Sequence, residues 1–335
     1  MNILLTGGLG FIASHTAVVL AEQGHHVVLL DNLSNSQFEV VDRIAKITGK
    51  SLPFYRVDVR NTELVSKVLT EQHIQTVIHF AGLKSVAESA TEPLKYYDNN
   101  VGGTISLLRA MKASAVKKII FSSSATVYGI PQYLPYDEEH PTVPMNVYGK
   151  TKLQAEQILQ DLARSDPEWS IACLRYFNPV GAHESGLIGE SPNGIPNNLM
   201  PYVCQVASGQ LTELNIFGDD YDTKDGTGER DYIHVMDLAE GHVAALHFVN
   251  GNVGWEAINL GNGIAYSVYQ LVSAFEKESQ CQITKNVQAR RSGDLPVYYS
   301  DAKKAKLLLG WQAGRNLNSM CNSAWNFQRQ LLSKK

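Results

Sequence analysis

Asn2-Ile3-Leu4-Leu5-Thr6-Gly7-Gly8-Leu9-Gly10-Phe11-Ile12-Ala13 is the stretch that decides the fold. A short apolar strand runs into a glycine turn, and a helical run follows to Gln23. Gly24 stops the helix, and His26-Val27-Val28-Leu29-Leu30 reads as the next strand, ending at Asp31. Strand, glycine turn, helix, strand and terminal acid in this order form a dinucleotide-binding unit. Gly7 and Gly10 let the backbone turn tightly and approach a pyrophosphate seated on the helix N-terminus, at Phe11 and Ile12. The third position of the pattern is Ala13 in place of glycine, which loosens helix–strand packing slightly and leaves phosphate contact intact. A carboxylate at Asp31 accepts hydrogen bonds from a ribose 2′-hydroxyl and repels a 2′-phosphate. The next residues, Asn32, Leu33, Ser34, Asn35 and Ser36, carry no arginine to bind such a phosphate. NAD is therefore expected over NADP.

Working outward, the alternation of strand and helix continues. Pro53 to Val57 reads as a strand ending at Asp58, and Thr76 to Phe80 as another ending at Ala81-Gly82. A helix is expected over Leu94 to Met111, a strand over Lys118 to Ser122, and a sixth strand over Ile171 to Arg175. Helices between apolar strands mean an α/β fold, a Rossmann-like doubly wound parallel sheet with right-handed crossovers. Ligands then lie at the C-terminal strand ends, where Asp58, Ala81, Gly82, Ser122 and Ser124 fall, with Lys84 and Asn99 just beyond. Ser122 and Ser123 also suit a turn-capping role, and Ser124 is the better candidate to hold a substrate hydroxyl. Past the sixth strand, Gly181 to Asn198 is crowded with Gly, Pro and Asn, the mark of a boundary or a ligand loop. The expected division is a dinucleotide domain over 1–177, completed by part of 230–262, and a smaller α/β substrate domain over 178–335.

The chemistry centres on Tyr148-Gly149-Lys150-Thr151-Lys152. On a helix, Tyr148 and Lys152 share one face, a turn apart. Free tyrosine has a pKa of about 10, so only about a thousandth is phenolate at neutral pH, and a usable base needs a shift worth about 4 kcal/mol. A lysine ammonium about 5 Å away, at an effective dielectric near 20, supplies roughly 3 kcal/mol of that. A second positive charge, such as an oxidised nicotinamide ring, would supply the rest against the cost of burial. Spacing alone proves little among fifteen tyrosines, since Tyr299 and Lys303 repeat it. Context separates the pairs: Tyr148 follows a strand ending in Ser122-Ser123-Ser124, whereas Tyr299 follows Gly-Asp-Leu-Pro with no hydroxyl cluster.

The totals exclude several classes. A chain of 335 residues with 44% hydrophobic and 19% charged composition is ordinary for a globular protein of about two domains. Thirty-three acids against twenty-nine bases give −4, with no basic block for nucleic acid or an anionic membrane. Cys173, Cys204, Cys281 and Cys321 are far apart and form neither a disulfide framework nor a zinc motif. His183, His242 and His247 complete no metal site, so no metal is expected. A strand beginning at residue 2 leaves no room for a signal peptide, and no apolar run approaches the roughly 20 residues of a membrane span. A cytoplasmic protein is expected.

Longer motifs carry a resemblance. They include His79-Phe80-Ala81-Gly82-Leu83-Lys84, Tyr96-Tyr97-Asp98-Asn99-Asn100, Phe121 to Gly129, and Arg175-Tyr176-Phe177-Asn178-Pro179-Val180-Gly181. To these add Gly194-Ile195-Pro196-Asn197-Asn198-Leu199-Met200-Pro201, Asp225 to Val235, and Arg290-Arg291-x-Gly293-Asp294-Leu295-Pro296. With the Ser124, Tyr148, Lys152 order, the chain resembles the extended short-chain dehydrogenase/reductase superfamily and, within it, the UDP-glucose 4-epimerase family, almost end to end. Departures are Ala13 for glycine and Val147 for the proline that often precedes the tyrosine.

The resemblance implies a tightly held NAD that is not consumed and reversible epimerisation at C4 of a UDP-hexose through a 4-keto sugar. Tyr148 would be the base, Lys152 would bind the nicotinamide ribose and keep Tyr148 ionised, and Ser124 would hydrogen-bond the reacting oxygen. It implies cofactor contacts at Asp31 to Ser36, Asp58, Val59, Phe80, Ala81, Gly82, Leu83, Lys84, Asn99 and Phe177. It places the nucleotide sugar against Asn178, Asn198, Leu199, Phe217, Arg230, Arg291 and Asp294, with Lys84, Asn215 and Ile216 beside them and Tyr298 near the sugar C2 substituent. Arg230 and Arg291 suit a diphosphate because guanidinium is always charged and planar. Phe217 would stack on uracil or fill core. A homodimer is also implied. A nucleotide-sugar 4,6-dehydratase shares this chemistry but carries an Asp-Glu pair after its active serine or threonine, where this chain has Ala125 and Thr126.

Overall fold

The computed structural model describes residues 1–192, 194, 196–291 and 293–333. Ile195, part of one motif above, and Lys334 and Lys335, at the end of the expected second domain, lie outside the described residues. Seven parallel strands form the central sheet. From one edge they run Gly254–Leu260, Ser170–Tyr176, Lys118–Ser124, Thr76–His79, Asn2–Thr6, His26–Asp31 and Phe54–Arg56. Their apolar runs follow from burial on both faces, since helices cover each side. The chain winds outward from Asn2–Thr6 in one direction, then returns to lay Thr76–His79 on its other flank. The crevice at that reversal is where an open α/β sheet takes its ligand.

The helix Phe11–Glu22 is buried along nearly its whole length. It packs between the sheet and the helix Val235–Gly251, and Ala17, Val18, Leu20, Leu238, Leu246 and Trp311 share one core. The edge strand Gly254–Leu260 thus arrives from far along the sequence, after the chain has already left the sheet once. The opposite face is filled by Val65, Leu69, Leu107, Met111, Leu159 and Trp169.

The stretch expected as one helix from Leu94 to Met111 is three segments. Pro93–Tyr96 and Gly103–Ala113 are α-helical, and Tyr97–Gly102 between them is a π-helix. Such turns are rare and cluster at functional sites, and this one carries Asn99 and Asn100. The remaining sheets are small. Asn178–Val180, Ala265–Ser267 and Val297–Tyr298 pair with Glu229–His234, and Leu214–Phe217 pairs with Lys285–Gln288. The helices Leu199–Ala207, Val268–Ser279 and Leu317–Leu332 close over them around Val203, Leu271, Phe275 and Met320.

Candidate active site

The glycine turn is built for close approach. Gly7 has φ +64°, and a Cβ there would lie 2.8 Å from the Ala81 amide nitrogen. Gly10 caps the helix with no side-chain hydrogen bond, so the helix's leading amides, beginning at Phe11 and Ile12, are left facing outward for an anion. Asp31, only 7% exposed, ties the surrounding loops together. Its Oδ2 accepts from the Leu9 amide (3.1 Å), and its Oδ1 from the Leu33 amide and the Ser36 hydroxyl, both at 2.8 Å. Leu33 is consequently held at positive φ. A carboxylate has about four lone-pair sites, so one remains for a ribose hydroxyl. Asn32 donates to Asp58 (3.0 Å), and the Arg60 guanidinium beside it holds that carboxyl well below its usual range. Val59 is buried, while Phe80 packs on the His242 ring at 4.7 Å. Open amides at a helix end, a cradle closed to any Cβ and an acid at the second strand end fit a dinucleotide without a 2′-phosphate.

Tyr148 lies in the first turn of the helix Val147–Ser165, whose N-cap Asn146 accepts from the Gly149 amide at 2.8 Å. Lys152 is one turn on, its Nζ 5.9 Å from the Tyr148 ring centre and donating to the Ser122 carbonyl at 2.7 Å. Burial pushes the Tyr148 phenol up to about 12, against a downward pull from the Ser124 hydroxyl. Burial also brings Lys152 down to about 8, resisted by Glu156. Burial thus opposes ionisation of Tyr148 in this pocket, the cost against which Lys152 and an oxidised nicotinamide ring are together expected to act. At Tyr299 and Lys303 the same spacing leads nowhere, because Lys303 is 90% exposed and bound to Asp301 at 2.7 Å.

The serines also differ from the turn-cap reading. Ser124 is the cap, accepting from the Thr126 amide (3.2 Å) and the Thr126 hydroxyl (2.9 Å). Those two bonds fill its acceptor sites and leave its own proton free to donate. Ser122 meets the Tyr176 hydroxyl, and Ser123 donates to Glu156 at 2.5 Å.

Behind these residues stand groups that local sequence reading misses. Glu156 lies one further turn along the Tyr148–Lys152 face, and Arg175 grips it with Nη2 at 2.6 Å, both almost wholly buried. Arg175 also reaches the Tyr128 hydroxyl (3.2 Å), which donates to Asn259 at 2.6 Å. Asn100, in the π-turn, accepts from the Leu83 amide (2.8 Å) and from Asn99 (3.0 Å), and donates to Leu83 O and the Thr151 hydroxyl, both at 3.0 Å. It thereby locks the loop after Thr76–His79 to the helix of Tyr148. For Glu156 the i, i+4, i+8 spacing with Tyr148 and Lys152 was the available signal, while Asn100, Tyr128 and Arg175 stand within the longer motifs.

On the other side of the crevice, Arg230 donates to the Glu229 and Leu295 carbonyls at 2.9 and 2.8 Å and stands 3.7 Å from Asp294. The Arg291 guanidinium lies over the Phe217 ring at 3.8 Å, so one face of that ring is covered by a cation. Asn215 donates to the Tyr202 hydroxyl at 3.3 Å, whereas the Ile216 side chain fills core. Asn178 opens the strand Asn178–Val180, and Asn198 caps the helix that starts at Leu199. Lys84 and Asn198, from opposite sides, meet on Glu190. Tyr298 packs on Tyr136 at 4.9 Å and on Phe177 at 5.0 Å, its hydroxyl buried and unpartnered. His242 is buried against Phe80 and Tyr176, and His183 sits beside Ser185. Among the described residues no His, Cys, Asp or Glu side chains cluster to hold a metal, and no helix is long and apolar enough to cross a membrane.

A family model described as GDP-mannose 4,6 dehydratase matches residues 4–324. The chain is 56% identical over 328 residues to a UDP-glucose 4-epimerase of Bacillus subtilis, covering 98% of this chain and 97% of that one. It superposes with TM-score 0.98, at 48% identity and full coverage of both chains, on a UDP-glucose 4-epimerase of Stenotrophomonas maltophila solved with NAD and formylated UDP-arabinopyranose. The enzyme of Bifidobacterium longum, in complex with NAD+ and UDP, gives TM-score 0.95 at 51% identity over 98% of each chain. The chain belongs to the UDP-glucose 4-epimerase family of the extended short-chain dehydrogenase/reductase superfamily.

Proposed function

We infer that the chain interconverts UDP-glucose and UDP-galactose at C4, using an NAD that it holds. The observation that carries this reading is the buried Tyr148 phenol beside Ser124, at the strand ends above the glycine cradle. NAD, when bound, supplies a reversible hydride acceptor and, oxidised, a positive ring charge that favours the Tyr148 anion. Tyr148 takes the proton of the sugar 4-hydroxyl as phenolate and returns it at the end. Ser124, with its acceptor sites filled by Thr126, donates to the reacting oxygen. Lys152, fixed by the Ser122 carbonyl, keeps positive charge beside the phenol and offers donors to a ribose. With NAD bound, the sugar would lose hydride from C4, turn over as the 4-keto form and regain hydride on its other face.

The cofactor contacts are proposed along the cradle, from Gly7 and Gly10 through Asp31 to Ser36, Asp58, Val59, the Phe80 to Lys84 loop, Asn99 and Phe177. Asn178, Asn198, Leu199, Asn215 to Phe217, Arg230, Arg291, Asp294 and Tyr298 are proposed to hold the nucleotide sugar. Residues 1–177 with part of 230–262 would be the cofactor domain and 178–335 the sugar domain. The working form would be a homodimer in the cytoplasm.

The matching family model is named for a dehydratase, but elimination of a 6-hydroxyl needs an acid, and the Asp-Glu pair that would supply it after the active serine is replaced here by Ala125 and Thr126. Ala125 is buried, and the Thr126 hydroxyl is spent on Ser124. Incubation of the purified protein with UDP-galactose, without added cofactor, should yield UDP-glucose on chromatography. No conversion would refute the proposal, and a 4-keto-6-deoxy product would favour the dehydratase.

A further inference from the structure

The two halves of the crevice are joined by one side chain that none of the motifs singled out. Glu190 Oε1 accepts from Lys84 Nζ at 2.7 Å and from Asn198 Nδ2 at 2.8 Å. Lys84 follows the central strand Thr76–His79, on the cofactor side. Asn198 caps the helix Leu199–Ala207, on the sugar side. Lys84 is 56% exposed and Glu190 only 10%, so the carboxylate is the fixed member and the ammonium the one that is gathered in.

Glu190 stands on a rigid platform. Ala182 bridges to Gly189, the His183 amide donates to Ile188 O at 3.2 Å, and Ile188 is buried in the main core. A Cβ at Gly189 would lie 2.4 Å from the Phe327 ring, so the hairpin presses flat against the C-terminal helix. A nearly buried carboxylate on a rigid backbone has less conformational freedom to lose on binding a partner than an exposed one. That sets it apart from an ordinary surface ion pair, whose gain is offset by ordering two long side chains.

The donor count points the same way. An ammonium has three donors and a carboxamide two. Glu190 takes one from each, orienting both groups while leaving the rest for a ligand. We propose that Glu190 is a positioning residue for nucleotide-sugar binding, gathering Lys84 and Asn198 into one cluster that presents their remaining donors to the substrate's diphosphate. Its charge is offset by Lys84, so the cluster does not repel the anion it receives. This rests on the reading of Lys84 and Asn198 as ligand contacts.

The test uses NAD-loaded protein, UDP as the binding probe and UDP-galactose as substrate. Glu190→Ala should raise the Kd for UDP and the KM for UDP-galactose about tenfold, the worth of one oriented charged hydrogen bond, with kcat within about twofold. Glu190→Gln keeps an acceptor and should recover most of that loss. Tighter UDP binding in Glu190→Ala would overturn the proposal, showing a carboxylate that competes with the diphosphate. A fall in kcat and melting temperature with Kd unchanged would overturn it too, in favour of a purely structural role. Lys84→Met and Asn198→Ala separate the two claims. If both weaken UDP while Glu190→Ala does not, the positioning role fails and the contacts stand. If neither weakens UDP, the contact reading itself is wrong.

Discussion

Replacing Tyr298 by serine should change which sugars the protein accepts. The ring is wedged between Tyr136 and Phe177, at 4.9 and 5.0 Å, and cannot swing aside without displacing one of them. Its phenol is close enough to Tyr148 and Arg230 for both to act on its ionisation, so it borders the reacting region. With Tyr298 beside the sugar C2 substituent, as the family resemblance implies, an N-acetyl group there would add three heavy atoms against that ring, and forcing extra atoms into a packed site costs about 1–3 kcal/mol. Taking the upper end because the ring is held, the unmutated protein should prefer UDP-galactose over UDP-N-acetylgalactosamine by about 100-fold in kcat/KM. Tyr298→Ser should bring that ratio close to unity. Loss of aromatic packing will lower stability, by about 2 kcal/mol or more, but a ratio measured on one protein is insensitive to that. Tyr298→Phe is the control: it keeps the ring and removes only a buried hydroxyl without a partner, so ratio and stability should both hold. Initial rates on the four UDP-sugars, with products separated by chromatography, give the ratios. Equal efficiency on both pairs in the unmutated protein would refute the reasoning, as would a Phe variant as permissive as the Ser variant.

Two other expectations follow from buried groups. Burial lowers His15, His79 and His234 to about 3 and His242 to about 4, so all four are neutral in the folded chain at neutral pH. Below the unfolded value near 6.5 the unfolded chain takes up protons that the native one refuses, so stability falls with falling pH, by about 1.4 kcal/mol per unit for each histidine down to its folded value. Denaturant midpoints that stay level from pH 6.5 to 4.5 would contradict this. The Asp31 carboxylate predicts that acid treatment of the purified protein releases NAD, and recovery mainly of NADP would show the ribose argument wrong.

What the sequence makes legible is local. Asn2 to Asp31 could be read because a strand buried on both faces is a continuous apolar run and a tight turn demands glycine. Tyr148 and Lys152 could be paired because a helix brings i and i+4 together whatever lies around it. The smaller sheets could not be read, since Val297–Tyr298 has two residues and takes its place only beside Glu229–His234. The π-turn at Tyr97–Gly102 was hidden for a related reason: it lies between two α-helical runs and reads as part of one helix, and its Asn100 reaches Leu83 and Thr151, far away in the sequence. Glu190 lay in a Gly- and Asn-rich stretch that reads as a boundary, and its partners stand 106 and 8 residues away.

The most direct measurement is the turnover of NAD-loaded Tyr148→Phe on UDP-galactose, beside Tyr299→Phe. Proton transfer by a positioned base is worth roughly 10²–10⁴ in rate, so the first variant should lose at least that much with its NAD still bound. The second should be nearly as active as the unmutated protein. Near-normal turnover in Tyr148→Phe would contradict the account at its centre.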